Sequence, residues 1–467
     1  MKSHFKTKFK RFFNSLIERK QNLSREAKIR IFQVLVIIGI SLFLQNSLYI
    51  PKYLEPMTDS IDQTALKIDH TSVSPIETEE ANYEQIESPE QPLKVTVKST
   101  FKVPENLRRK VDFWKQIYGV YSSEYGIIHD SKEVDLIYAI VDFTPITRSK
   151  LHPFTKEHRV NALIKREKEK VITFLKNLKK GNKKVNPKLL SANDKRIYDY
   201  FKTLKSKHKY DDAIENMRFQ LGQKDFIEKA FYYSGFYLEE MEKIFLSANL
   251  PIELTRIPFV ESSFNIMARS RVGASGIWQI MPSTGKKLMP NRFVDYRNDP
   301  IKATEFAATF LKFNHKVLKN WPLAITAYNH GPTSMLKISR KYQTNDLSEL
   351  IRKAFGTKAF GFASTNFYTC FLAILEVEKN QKEYFPNLSK GSPKMITKVN
   401  LKKPMTFKNL VKVFDFDVKK LESYNPHLTT VAKNSNIPIP KGTILYFPSS
   451  ANSPEMASAA LEAKSPL

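Results

Sequence analysis

The chain has 467 residues with 42% hydrophobic content, enough for two or three domains with cores of their own and too much for a small stapled scaffold. Its 75 Lys and Arg against 47 Asp and Glu give a formal charge of +28, which points to a polyanion such as nucleic acid, a membrane surface or an anionic wall polymer. No ordered nucleic-acid motif accompanies these charges, so no nucleic-acid partner is expected. The nine histidines form no H-E-x-x-H cluster, so neither a metal nor another cofactor is expected.

Residues 1–30 are rich in Lys and Arg, with only Glu18 and Glu26 opposing them, and they lead into the apolar run Ile31 to Ile50. That run is about twenty residues long and free of charge, enough to cross a bilayer as one helix. The basic flank predicts a cytoplasmic 1–30 and an uncleaved transmembrane anchor at 31–50. A cleavable signal peptide is the rival reading, although Leu44-Gln45-Asn46-Ser47 is a poor cleavage site. Residues 51–99 carry Pro51, Pro56, Pro75, Pro89 and Pro92 and an acidic run from Glu77 to Glu87 without apolar periodicity, which reads as a disordered linker. A disordered tail is expected at 449–467.

A mostly helical accessory domain is expected over 100–240. Leu107, Val111, Trp114 and Ile117 recur at helical spacing, and Gly126–Asp130 with Asp135–Val141 predicts a short hairpin. The stretch from about 155 to 245 reads as helical throughout. Its Lys165, Arg166, Lys168, Lys170, Lys179, Lys180, Lys183 and Lys184 are either a wet helix face with its loop or a contact for anionic polymers.

A second domain is expected over 241–385. One helix puts Tyr237, Leu238, Met241 and Phe245 on a stripe and ends at Asn249, and the next opens at Pro251 and delivers Glu261 among Phe259, Val260 and Phe264. Apolar neighbours penalise the charged carboxylate and keep it protonated near neutral pH, as a general acid requires. Gly273-Ala274-Ser275-Gly276-Ile277-Trp278-Gln279 then concentrates two of the 14 glycines within four residues, so the backbone turns tightly and can approach a ligand, while Trp278 offers a stacking face and Gln279 an amide. Pro282 is expected to open a helix, and Ala303, Phe306, Ala307, Phe310 and Leu311 to mark a long amphipathic one. Ala327-Tyr328-Asn329-His330-Gly331 and Thr365-Asn366-Phe367-Tyr368 follow. The single cysteine, Cys370, lies in an apolar helical stretch and reads as a buried small hydrophobe.

Taken in this order, Glu261-Ser262, the Gly-x-x-Gly-x-Trp-Gln segment, Ala-Tyr-Asn-x-Gly and the late Tyr368 resemble the catalytic domain of lytic transglycosylases, the goose-lysozyme-like enzymes that cut bacterial peptidoglycan. The resemblance implies a mainly α fold, with a lysozyme-like helical bundle and elongated groove over 241–385. It makes Glu261 catalytic, and Ser262, Gly276, Trp278, Gln279, Tyr328, Asn329 and Tyr368 substrate-binding. Ser262 either caps the next segment or hydrogen-bonds the carboxylate, as its counterpart does in that family. Gln279, Tyr328 and Asn329 line the groove by resemblance, or are polar residues satisfied in a helical core; Tyr368 lies within reach of Glu261, or is a core aromatic.

Ordinary glycosidases flank the bond with two carboxylates, whereas Glu261 meets no acidic residue before Asp295 and Asp299. The resemblance implies a single-carboxylate, non-hydrolytic cleavage that leaves 1,6-anhydromuramoyl ends. A hydrolytic muramidase and a non-catalytic peptidoglycan-binding protein are the alternatives. Many members of the family are lipoproteins, and this N-terminal region has no cysteine to lipidate, so the anchor here would be the helix. The implied location is the bacterial inner membrane, with the catalytic part in the periplasm or cell wall space.

The tail, 395–448, changes character. Ile396–Val399 predicts a strand, Phe407–Leu410 and Val418–Leu421 helix starts, and Pro438–Pro448 a second strand. With Tyr424-Asn425-Pro426 and Pro440-Lys441-Gly442-Thr443 this order resembles a LysM module, a small βααβ glycan-binding fold, and a single copy is expected. The usual aromatic-rich opening strand and Gly-Asp turn are absent, so a packing module without a ligand stays open.

Overall fold

The computed structural model describes residues 101–181, 185–357, 360–393, 396–414 and 416–448. The expected basic segment, anchor, linker and terminal tail, with Lys183 and Lys184, lie outside them. Among the described residues no helix is long and apolar enough to cross a membrane. The fold is mainly α, with two small antiparallel sheets among the described residues.

Helix α1, Arg108–Gly119, buries Val111, Trp114, Ile117 and Tyr118 on one stripe. Strands β1 (Tyr125–Asp130) and β2 (Ile137–Asp142) form the expected hairpin, Gly126 opposite Val141, with a bulge at Ile128/His129. Helices α2 (Pro153–Lys179), α3 (Ala192–Thr203) and α4 (Lys209–Glu215) follow. The expectation of helix throughout 155–245 then fails at β3, Met217–Leu221, which pairs antiparallel with the other edge of β1. Met217, Phe219 and Leu221 alternate with Arg218 and Gln220, a strand period too short to stand out among helices. The resulting sheet, ordered β2-β1-β3, makes a separate small core with Val171, Leu175 and Phe201 of α2 and α3.

Helices α5 (Lys224–Ser234) and α6 (Leu238–Ser247) lead into a 3-10 turn at Ile252–Arg256 and a short α7, Ile257–Ser262. After the glycine segment come α8 (Pro300–Leu318), α9 (Trp321–His330), α10 (Pro332–Tyr342), α11 (Leu347–Ala354) and α12 (Phe362–Lys379). Pro282 does not open the expected α-helix. Turns carry the chain to one 3-10 turn at Lys286–Leu288, and Pro290, which has no N–H to donate, follows at once.

The main core crosses the expected boundary at 240. Arg108 grips Glu376 of α12 through two bonds of 2.8 Å, and Trp114 Nε1 donates to Asn366 Oδ1 at 3.2 Å. The apolar stripes of α1 and α5 are therefore buried against the helices of 241–385 and share their core. The tail folds as β4 (Ile396–Asn400), α13 (Phe407–Phe414), α14 (Val418–Tyr424), α15 (Thr430–Asn434) and β5 (Ile444–Pro448), with Val399 opposite Leu445. The short α15, capped by Thr429, adds a third helix to the expected βααβ order.

Candidate active site

Helix α7 is only six residues long, so its position comes from anchors and not from its own propensity. Just before it, the half-buried Arg256 clamps Glu378 of α12 through Nε (2.8 Å) and Nη2 (2.9 Å) and also reaches Glu242 of α6. At the other end, Ser263 (φ 49°) and Phe264 (φ 57°) are both left-handed, a conformation costing about 1–2 kcal/mol for a residue with a Cβ. The fully buried Phe264 ring and the bonds from Ser263 N to Phe259 O (3.2 Å) and Phe264 N to Pro258 O (3.1 Å) hold that turn closed.

Glu261 therefore projects from a fixed helix end into the protein interior and is 7% exposed. Burial raises its carboxyl from the ordinary carboxylate range to about 8, and no neighbouring charge contributes to the rise. Two tyrosine hydroxyls, Tyr118 of α1 and Tyr328 of α9, are held well above the ordinary phenol range chiefly by burial; Glu261 adds to this directly at Tyr328, and at Tyr118 only after the larger effect of the Cys370 thiol. The Tyr118 hydroxyl also bonds the Cys370 thiol, whose own ionisation burial suppresses. Tyr118 was not expected at the site. It lies beside Ile117 on the buried side of α1, and it comes near the site only through the packing of α1 against α12.

Ser262 Oγ lies 2.8 Å from Ile277 O and 3.2 Å from Pro258 O, so its proton goes to main-chain carbonyls and ties α7 to the glycine segment. No hydrogen bond between Ser262 and the Glu261 carboxyl is present among the described residues. In that segment Gly276 has φ 76°, and a Cβ there would sit 1.8 Å from Arg297 O. Trp278 is fully buried: its Nε1 donates to Thr304 Oγ1 (2.8 Å), and its ring stacks on Phe245 at 5.9 Å and 4°. The stacking face expected of it is turned into the core. What the residue presents is its carbonyl, which accepts the Tyr328 hydroxyl at 2.8 Å.

Gln279, left-handed at φ 45°, directs Nε2 to the carbonyls of Gly276 (2.8 Å) and Ala268 (3.2 Å). Because both neighbours are acceptors, the amide orientation is fixed and Oε1 is left buried with no partner among the described residues. On α9, Asn329 Oδ1 accepts from Ser364 Oγ at 2.9 Å, which leaves the Asn329 N–H pair as donors. Since Ser364 spends its single proton there, His330 Nδ1, 3.2 Å away, must be the donor to Ser364 Oγ, and Ser334 must donate to His330 Nε2 at 3.0 Å. Burial keeps His330 neutral, with its pKa lowered to about 4. Tyr368 lies one turn beyond Ser364 on α12, buried, its hydroxyl pushed up to about 12 by that burial. Ser364 and His330 escaped the sequence reading because Asn329 acquires them as partners only when α9 meets α12.

The two acids considered as partners of Glu261 are committed elsewhere. Asp295 is buried in a bidentate pair with Arg297 (2.9 and 2.8 Å). Asp299 caps α8 through Ile301 N (2.9 Å) and Lys302 N (3.1 Å) and accepts the Tyr446 hydroxyl at 2.7 Å.

Residues 246–351 match the family described as Transglycosylase SLT domain. The match contains Glu261, the glycine segment and Tyr328-Asn329, and stops short of Ser364 and Tyr368. The membrane-bound lytic murein transglycosylase D of Escherichia coli (strain K12) is 29% identical over 181 residues, which cover 38% of this chain and 39% of that protein. The same protein of Escherichia coli O6:H1 matches equally. A putative tributyltin chloride resistance protein of Alteromonas sp. (strain M-1) is 38% identical over 108 residues, 22% of this chain and 50% of that one. The chain thus spans about two fifths to half the length of these relatives.

Proposed function

We propose that this chain is a peptidoglycan lytic transglycosylase that cuts the β-1,4 bond between N-acetylmuramic acid and N-acetylglucosamine. The observation that carries the reading is the desolvated carboxyl of Glu261, shifted by burial with no charged neighbour contributing among the described residues, inside a match to the SLT domain. A carboxyl protonated to about pH 8 can donate to the glycosidic oxygen, and the bond from that oxygen to the muramic C1 then breaks. The substrate's own N-acetyl oxygen supports the cationic C1. The Glu261 carboxylate next takes the proton of the C6 hydroxyl, whose oxygen closes on C1 to give the 1,6-anhydro ring. The acid is regenerated and no water is consumed.

For N-acetyl and hydroxyl groups Asn329 Nδ2 offers a donor, and Gln279 Oε1, buried and unpartnered among the described residues, an acceptor that a sugar has to uncover, on backbone set by Ser262, Gly276 and Trp278. Tyr328 holds the loop through the Trp278 carbonyl, and Tyr368 completes the wall on α12. The tail is read as a LysM-like module that adds glycan affinity, and residues 31–50 as the helix that anchors the protein in the inner membrane with the catalytic part in the cell envelope.

Release of soluble muropeptides from purified sacculi tests this reading, and its pH dependence tests the acid. Only protonated Glu261 can begin the reaction, so kcat/KM should hold below about pH 8 and fall about tenfold per unit above it. A rate that climbs through pH 8 would require a base as the first actor.

A further inference from the structure

Resting on the functional reading above, we propose that the C-terminal module is a fixed brace for the catalytic loop, with Tyr446 and Thr429 acting as positioning residues for Gly273–Gln279. A tethered glycan-binding module would need no fixed contact with the catalytic part, since its benefit is effective concentration alone. This module is instead built into that part. Phe293 and Val294 are buried in the module's own core with Leu410, Leu428 and Leu445. Val294 pairs with Leu428 as an antiparallel bridge, Asp295 N donates to His427 O (2.8 Å) and Thr429 N to Phe293 O (2.9 Å). Thr429 Oγ1 donates to Arg292 O (2.7 Å), the His427 ring stacks on Tyr296 at 5.3 Å and 24°, and Tyr446 reaches Asp299. Every one of these contacts lands within residues 292–299.

The other side of that segment holds the glycine segment. Arg297 Nη1 donates to Gly273 O (2.7 Å) and Ile280 O (3.1 Å), Ser275 Oγ donates to Asn298 Oδ1 (2.7 Å), and the Arg297 carbonyl fills the space against Gly276. Residues 292–299 are thus gripped by the module on one side and support the backbone of Gln279 on the other. Tyr446 bonds Asp299, which follows Arg297 by two residues in the same short segment, and Arg297 bonds the glycine segment directly. Loss of the module's grip should therefore loosen the site without touching the acid.

The test is hydrogen exchange on the full chain, which does not depend on catalysis, together with kinetics on sacculi. Tyr446→Phe removes one hydroxyl, and the double variant Tyr446→Phe/Thr429→Val also removes the Thr429 bond to Arg292 together with the cap of α15, while nearly keeping volume; Thr429→Ser, which keeps both bonds, is the control. The amides of Ser275 and Ile280, which bond each other's carbonyls at 3.2 Å, should exchange roughly five- to tenfold faster in the double variant, with α12 unchanged. Turnover should fall about threefold or more at constant KM, and Tyr446→Phe alone should lie between. Faster exchange confined to 396–448, or spread equally into α12, overturns the proposal. A wild type inactive on sacculi sinks the functional reading but leaves the exchange result standing.

Discussion

Replacing Glu261 with glutamine is expected to lower turnover on peptidoglycan by roughly a hundredfold to ten-thousandfold while leaving glycan binding near wild type. Glutamine keeps the shape and fills the same buried space, but it can neither give the first proton nor take the second. The same substitution should stabilise the fold, because the carboxyl is held where its charged form is penalised. Below about pH 4.5 the carboxyl is protonated in the folded and the unfolded chain, and burial carries no ionic cost. Between there and about pH 8 the unfolded chain releases the proton and the folded chain keeps it, so stability falls as pH rises. At pH 7 the loss is on the order of 3 kcal/mol. Thermal melts should therefore place the variant above wild type at pH 7, with the difference closing near pH 4. Sacculus digestion at near-normal rate by the variant would move the chemistry to another residue, and equal melts at pH 7 would deny the burial.

Gly276→Ala should damage the site through its backbone. A Cβ at that position sits 1.8 Å from Arg297 O, a main-chain atom fixed on both sides, so either Gly273–Gln279 or 295–299 must move. Gly356 supplies the control: it has the same φ of 76° but nothing within 4 Å of its would-be Cβ. Ala at Gly356 carries only the left-handed strain of about 1–2 kcal/mol. Ala at Gly276 adds the clash and should lower the melting temperature by roughly 5 °C or more beyond that control. Because displacement near a reacting centre by about 1 Å can cost about a hundredfold, kcat/KM should fall far more in Gly276→Ala than in Gly356→Ala. Equal effects of the two substitutions would show that backbone conformation alone, and not the fit against Arg297, sets this loop.

What the sequence made legible was local. The buried acid could be read from Phe259, Val260 and Phe264 around Glu261, the tight loop from its two glycines, and α1, α6 and α8 from their apolar periods, because each signal lies within one element. What it hid depended on how elements meet. Trp278 reads as a groove aromatic until Phe245 and Thr304 close over it. Ser262 reads as a possible partner of the carboxylate until the Ile277 carbonyl arrives as its acceptor. Tyr118 lies far from Glu261 in sequence and comes near it only because α1 packs on α12. β3 was lost for a different reason, since five alternating residues between helices carry little period.

The most direct measurement is mass spectrometry of the soluble products from purified sacculi, before and after borohydride reduction. Asp295 is bound by Arg297 and Asp299 by α8 and Tyr446, and the C6 hydroxyl of the proposed substrate is already tethered beside C1 at high effective concentration. The proposed reaction predicts muropeptides with 1,6-anhydro ends, lighter by one water than lysozyme products and unchanged by borohydride. Products that borohydride reduces would make the enzyme a hydrolase and contradict the single-carboxylate mechanism.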